Sequence, residues 1–299
     1  MLAEWTDTGA LTVVRADVQK GTAEHINASL VFWPGTSAPP HLNNLCEKPH
    51  PYCSWGAIDP RIRYRPKTQE YYLTWDNCTF ECAFRSSMLS ISKDPFDHAS
   101  WTLVGPIIPK MQTAGVSLLF RDDSPGAKHL AFVSTYNCFT ISLAESTDGH
   151  EWSLVQTDWM QGRPGCWDAC GAIAGPQPER LSSGDYFFVY NIDTCAAGKG
   201  NDTKPLGRCT IGWAVLNGSN PSQVVARSPT AIVTPTEPWE TTKCGGMVRE
   251  HKGVEDTCQT PNVIFATGLK PLGNDSFLIV YGGGDYDMAA IKIQVDIKK

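Results

Sequence analysis

The chain has no uninterrupted apolar run of about 18 residues, so nothing in it reads as a membrane-spanning helix. It has no basic cluster either. Its 25 Lys and Arg against 31 Asp and Glu leave a net charge of −6, which removes nucleic acid from the expected partners. Helical periodicity is almost missing, so a helical architecture is excluded. There is no Gly-x-Ser-x-Gly elbow and no His-x-Glu pairing suited to zinc. Gly282-Gly283-Gly284 has no phosphate-loop Lys behind it. No two cysteines have the two-residue spacing of a zinc knuckle, so neither a metal nor any other cofactor is expected. Met1-Leu2-Ala3-Glu4-Trp5 is not a signal peptide, and the start is expected to be an expression or processing boundary.

What is abundant is cysteine. Eleven in 299 residues are too many for an ordinary reduced cytosolic protein, and Cys46 and Cys53, Cys78 and Cys82, and Cys166 and Cys170 lie close in sequence. Five Asn-x-Ser/Thr sequons accompany them, at Asn27, Asn77, Asn201, Asn217 and Asn274. Together they predict a disulfide-linked glycoprotein of the eukaryotic secretory pathway. The odd count leaves at least one thiol without an intrachain partner.

Apolar residues make up 41% of the chain, enough for a sizeable core. The length suits one large all-β domain or two ordinary ones. Short β-rich runs dominate, at 29–33, 71–75, 88–92, 129–134, 140–144, 186–190, 210–216, 263–267, 277–281 and 289–295, punctuated by Gly, Pro, Asn and Asp. A loose repeat is visible. Ser90-Ile91-Ser92-Lys93-Asp94 leads to Trp101, and Ser146-Thr147-Asp148 leads to Trp152. Repeats of roughly 50–60 residues built from short strands predict propeller blades, and five would fill 1–299 as one domain. A pair of β-sandwiches is the alternative. The segment 241–260 interrupts the pattern. It carries Cys244, Glu250, His251, Glu255 and Cys258 and reads as a long, disulfide-stapled loop of the kind that often serves as a lid.

The segment Gly56-Ala57-Ile58-Asp59-Pro60-Arg61-Ile62 sets a carboxylate and a guanidinium at the entrance of a strand. Pro60 is expected to bias Asp59 toward an extended backbone. Four more segments follow it. They are Trp167-Asp168 with Gly175-Pro176-Gln177-Pro178, Pro238-Trp239-Glu240, Pro261-Asn262-Val263-Ile264-Phe265, and Tyr281-Gly282-Gly283-Gly284-Asp285. In this order the set resembles the motifs of glycoside hydrolase family 130, the β-mannoside phosphorylases and hydrolases, over roughly residues 25–295.

The resemblance implies a five-bladed β-propeller with its active site at one mouth of the central channel and an oligosaccharide substrate. Asp59 would be the general acid, protonating the glycosidic oxygen through a sugar hydroxyl. Asp285 would bind the non-reducing-end sugar, and Arg61 would orient Asp59 or contact sugar. The family's phosphate-binding basic residues fall here at 113–115, Ser134, Gly171 and Asn191. A phosphate dianion needs charge-assisted donors, so phosphorolysis is disfavoured. Asn191 remains as a polar substrate contact. Inverting hydrolysis needs a second carboxylate ~6.5–9.5 Å from the acid to activate water. Asp168, Glu240 and Glu255 are the candidates, Asp168 having hydrogen-bond anchoring of its loop as the alternative. Trp55, Trp167 and Trp239 would stack on sugar faces or pack between blades. The expected function is inverting hydrolysis of β-mannosides, with β-1,2-linked manno-oligosaccharides foremost. A non-catalytic carbohydrate-binding propeller and a β-mannoside phosphorylase are the alternatives. The oligomeric state is not legible.

Overall fold

The computed structural model describes residues 2–5, 11–17, 22–32, 57–78, 85–135, 140–169, 171–193, 209–241, 250–251, 254–255, 262–284 and 287–296. Trp55, Asp285 and most of the 241–260 segment lie outside them. Among the described residues no helix is long and apolar enough to cross a membrane.

The strands pair with their sequence neighbours in antiparallel meanders. The first sheet holds β1 (Leu2–Trp5), β2 (Leu11–Asp17) and β3 (Thr22–Phe32). The second holds β4 (Ala57–Arg65), β5 (Glu70–Cys78), β6 (Arg85–Ser92) and β7 (Thr102–Pro106). The third holds β8 (Thr113–Leu119), β9 (His129–Thr135), β10 (Ile141–Ser146) and β11 (Ser153–Met160). The fourth is built on β14 (Tyr186–Asp193), which pairs with β12 (Ile173–Ala174), β13 (Glu179–Arg180) and β15 (Cys209–Leu216), and β15 pairs onward with β16 (Val224–Arg227). A single helical turn, α1 (Pro238–Thr241), precedes the short pair β17 (Glu250–His251) and β18 (Val254–Glu255). The last sheet holds β19 (Ile264–Gly273), β20 (Ser276–Gly283) and β21 (Asp287–Gln294). The class is all-β and β-propeller, with four blades among the described residues where the sequence predicts five.

Two compact units divide the chain: Met1–Asn137 with Leu143–Gln156, and Cys138–Ser142 with Thr157–Lys299. In the first, Tyr72, Leu89, Val116, Leu118, Val133 and Trp152 form the core between the second and third sheets. In the other, Phe187, Val189, Ile211, Ile264, Phe277 and Ile279 do the same between the fourth and last sheets. Strand β8, at the end of the third sheet, is buried at every position, which is why it reads as a continuous apolar or small-residue run rather than an alternating one. Each large side chain buried this way contributes about 1.5–3 kcal/mol.

The sequence repeat has a physical basis. In the first copy the main-chain N–H of Asp94 donates to the Ser92 hydroxyl at 3.0 Å, and the Trp101 indole N–H donates to the Pro95 carbonyl. In the second, the Asp148 carboxylate accepts from the main-chain N–H groups of His150 and Glu151, and the Trp152 indole N–H donates to the Gly149 carbonyl at 3.0 Å. Each Ser-Asp-Trp set is thus a self-satisfying turn that closes on a tryptophan. Against burial, those donors and Ser146 hold Asp148 at about 2.

Of the sequon asparagines whose side chains are described, Asn77 is buried in β5, Asn217 is half-buried and Asn274 is exposed.

Candidate active site

Asp59 sits in β4, but not as expected. Its φ is +52°, in the left-handed region, rather than extended. Pro60 has no N–H to give to the ladder, and the β4–β5 register slips between Ile58 and Arg61. The resulting bulge lifts Asp59 out of the strand pairing, and Asp is among the few residue types that accept a left-handed backbone.

The Asp59 carboxylate pairs with Arg85, which sequence reasoning missed. Arg85 also holds Asp76 through Nε at 3.0 Å and Nη2 at 2.7 Å. The other Asp76 oxygen accepts from the Ser87 hydroxyl at 2.5 Å and the Gly115 N–H at 3.0 Å. The only signal available beforehand was strand register, in which Asp76 faces Ser87 and Cys78 faces Arg85. Burial works against the Arg85 charge, but the carboxylates of Asp76 and Asp59 outweigh it and hold the group above its ordinary value. Asp76 is sealed from solvent, whereas the Asp59 side chain keeps 29% of its surface.

Arg61 is buried, and burial pushes its pKa down against the pull of Asp59 and Asp76. It donates to the main-chain carbonyl of Asp59 at 2.8 Å, steadying the bulge. Its guanidinium fills the space beside Gly115, where an added Cβ would meet Nη2 at 2.7 Å. Gly115, at φ +91°, is therefore required on two counts.

In the other unit, Asp168 has no exposed surface. Its oxygens accept from Arg163 Nε at 2.9 and 3.0 Å and from the Tyr190 hydroxyl at 3.0 Å, and Arg227 Nη2 makes an ion pair with it at 2.7 Å without hydrogen-bond geometry. Arg227 lies over the Tyr190 ring at 4.9 Å. The half-buried Trp167 stacks on the same ring and donates its indole N–H to the Ser228 carbonyl. Gly212 passes beneath, where a Cβ would strike both Trp167 and Tyr190.

Glu240, in α1, is 1% exposed. One oxygen accepts from the N–H groups of Thr236 and Glu237, the other from the Tyr281 hydroxyl at 2.9 Å. Burial, then Glu240, pushes Tyr281 up to about 12. Trp239 stacks on Tyr281. Asn191 spends its amide on β19, donating to the Ala266 carbonyl and accepting from the Ala266 N–H. Among the described residues no group of three or more His, Cys, Asp or Glu could hold a metal. The structure therefore brings Asp59 and Arg61 together in one network, and Trp167 and Asp168 in another. Glu240 and Asn191 are each held by backbone.

No family model and no curated protein matches the chain. Solved structures do. The β-1,2-mannobiose phosphorylase of Listeria innocua, in complex with β-1,2-mannobiose, matches at 19% identity over 81% of this chain with a TM-score of 0.60. This chain spans only 59% of that protein's length. A family 130 structure, from work describing hydrolases that target β-1,2 mannosidic linkages in Candida mannan, matches at 16% identity, covering 98% of this chain and 82% of that one, with a TM-score of 0.64. A candidate glycoside hydrolase from Parabacteroides distasonis matches at 18% identity, with 97% and 84% covered and a TM-score of 0.65. The resemblance to glycoside hydrolase family 130 that the motifs suggest is therefore present in the fold.

Proposed function

We propose that this chain is a secreted, disulfide-linked glycosidase with a five-bladed propeller that hydrolyses β-mannosides, β-1,2-linked manno-oligosaccharides foremost, with inversion and without phosphate. Asp59 is its general acid. One observation carries the reading. Of the three candidate catalytic carboxylates whose side chains are described, Asp59 alone keeps exposed surface, while Asp168 and Glu240 are sealed and bonded at both oxygens. Phosphate independence is supported by charge. Among the described residues, the two guanidiniums at Asp59, Arg61 and Arg85, face two carboxylates, Asp59 and Asp76, which offers no surplus there for a dianion.

The same saturation of Asp168 and Glu240 favours a second reading, a carbohydrate-binding propeller without turnover. Neither residue offers an oxygen to activate water. In a hydrolase the base would then fall to Glu255, the remaining sequence candidate, whose main chain lies in β18.

The test is incubation with β-1,2-mannobiose and an aryl β-mannoside, with and without phosphate, with the first-formed anomer followed by NMR. The expected product is α-mannose at equal rates in both conditions. A sugar 1-phosphate that needs added phosphate makes the chain a phosphorylase. Saturable binding without product makes it a lectin-like module, and neither binding nor product removes the mannoside assignment.

A further inference from the structure

Asp59 has little of its own to hold it. It stands in a bulge at positive φ, outside the β4–β5 ladder, and its main chain is steadied by Arg61. A side chain there can swing unless something grips the carboxylate. The group that does so is Arg85, from the first residue of β6.

Arg85 is in turn fixed from behind. Asp76 takes both its Nε and Nη2, and Asp76 is itself pinned by the Ser87 hydroxyl and the Gly115 N–H. Ser87 continues the chain, its N–H donating to the Thr113 hydroxyl at 2.6 Å. A planar guanidinium can bridge two carboxylates in a fixed geometry, which the point charge of a lysine cannot reproduce. We propose that Arg85 is the positioning residue of Asp59, and that the buried Asp76, which cannot reach a substrate, sets the orientation of the reacting carboxyl through it. The inference rests on the reading of Asp59 as the acid. It adds that the geometry of that acid is set two residues back, in the sealed part of the sheet.

The test uses Arg85→Lys, Asp76→Asn and the milder Ser87→Ala in the full chain, with β-1,2-mannobiose as probe and crystal structures of each variant that folds. The expected outcome is a fall in kcat of about 10²-fold for Arg85→Lys and Asp76→Asn, as a misplaced reacting group typically gives. Ser87→Ala should fall less, and KM should stay within about twofold. The variant structures should show the Asp59 carboxylate turned from its wild-type direction. A merely structural ion pair would lower the melting temperature but leave kcat and the Asp59 rotamer unchanged, and that result overturns the proposal. If Asp76→Asn fails to fold, Ser87→Ala and Arg85→Lys decide the matter alone. If the wild-type protein cleaves no mannoside, the functional reading fails. The rotamer of Asp59 in Arg85→Lys then settles positioning by itself: a turned carboxylate supports it, an unmoved one ends it.

Discussion

Each unit of the molecule contains an aspartate gripped by arginine, and the two differ in what the grip leaves over. Around Asp59 the arginine is shared. Arg85 holds a sealed carboxylate, Asp76, through Nε and Nη2, and a partly open one, Asp59, through the same Nη2. Around Asp168 the carboxylate is shared instead, between Arg163, Arg227 and Tyr190. The first arrangement presents a carboxylate with accessible surface. The second consumes it. Sequence motifs mark both as Asp beside Arg or Trp; burial and the number of donors separate them.

The largest expected effect tests the open end. Asp59→Asn keeps the shape but cannot deliver a proton, so turnover of β-1,2-mannobiose should fall about 10²–10⁴-fold, the usual contribution of general acid catalysis. An aryl mannoside, whose leaving group needs less protonation, should lose less. Sugar binding and melting temperature should hold. Near-normal turnover on the disaccharide would remove Asp59 from the chemistry.

Asp168→Asn should do the reverse. It leaves two guanidiniums facing a neutral amide, and breaking a buried pair from one side typically costs about 3–5 kcal/mol. Arg163 is 31% exposed and can turn to water, so the low end is expected. Urea denaturation reads this directly. An unchanged midpoint with lost turnover would move Asp168 from anchor to catalyst and undo the contrast between the units.

Glu240 sharpens the point with two substitutions. Glu240→Ala strands the N–H groups of Thr236 and Glu237 and the hydroxyl of Tyr281, a loss of about 1–3 kcal/mol. Glu240→Gln can keep its carbonyl on the two N–H groups and turn its amide to Tyr281, so it should be nearly as stable as wild type and as active. Were Glu240 the water-activating base, Gln would fold and fail to turn over.

Much of this was legible in the chain. The ten β-rich runs each overlap a strand, because alternation or continuous burial leaves its trace in residue type, and the Ser-Asp-Trp repeat announces turns that satisfy themselves. The Asp-Pro-Arg segment falls on the β4 bulge. Its backbone was misjudged, because a proline's bias on the residue before it is weaker than the demand of the β4–β5 ladder to expel an N–H-less residue. Arg85 and Asp76 were invisible because their meeting depends on strand register between β5 and β6 and not on any spacing in sequence. Asn191, a polar residue at a motif position, reads in sequence as a substrate contact, and Glu240, a carboxylate at one, as a candidate base. Their actual partners are the main chain of a strand 75 residues away for Asn191, and for Glu240 its own turn and a tyrosine 41 residues on.

The smallest effect concerns a third aspartate–arginine cluster, in the first unit. Arg65 forks onto both oxygens of Asp122 at 2.8 and 2.7 Å and sets its Nη2 2.7 Å from Nε2 of His129, with Lys67 3.8 Å from Asp122. Burial, and then the Arg65 charge, push His129 below its ordinary value, with Asp122 and Asp148 opposing and Lys67 adding to the shift. The folded protein therefore keeps His129 neutral at a pH where the unfolded chain, titrating at about 6.5, takes up a proton. More protons bound to the unfolded state means that stability falls as pH drops from about 6.5 toward the depressed folded value. Asp122, held below the usual carboxylate range by Arg65, adds its own loss only at lower pH, as it is protonated below about 4. The two losses set in at different pH, so His129→Gln should flatten the denaturation midpoint just below pH 6.5 and leave the Asp122 contribution in place. Equal slopes in wild type and variant across that upper window would show that this histidine is as charged when folded as when unfolded, and that the Arg65 cluster does not exclude its proton.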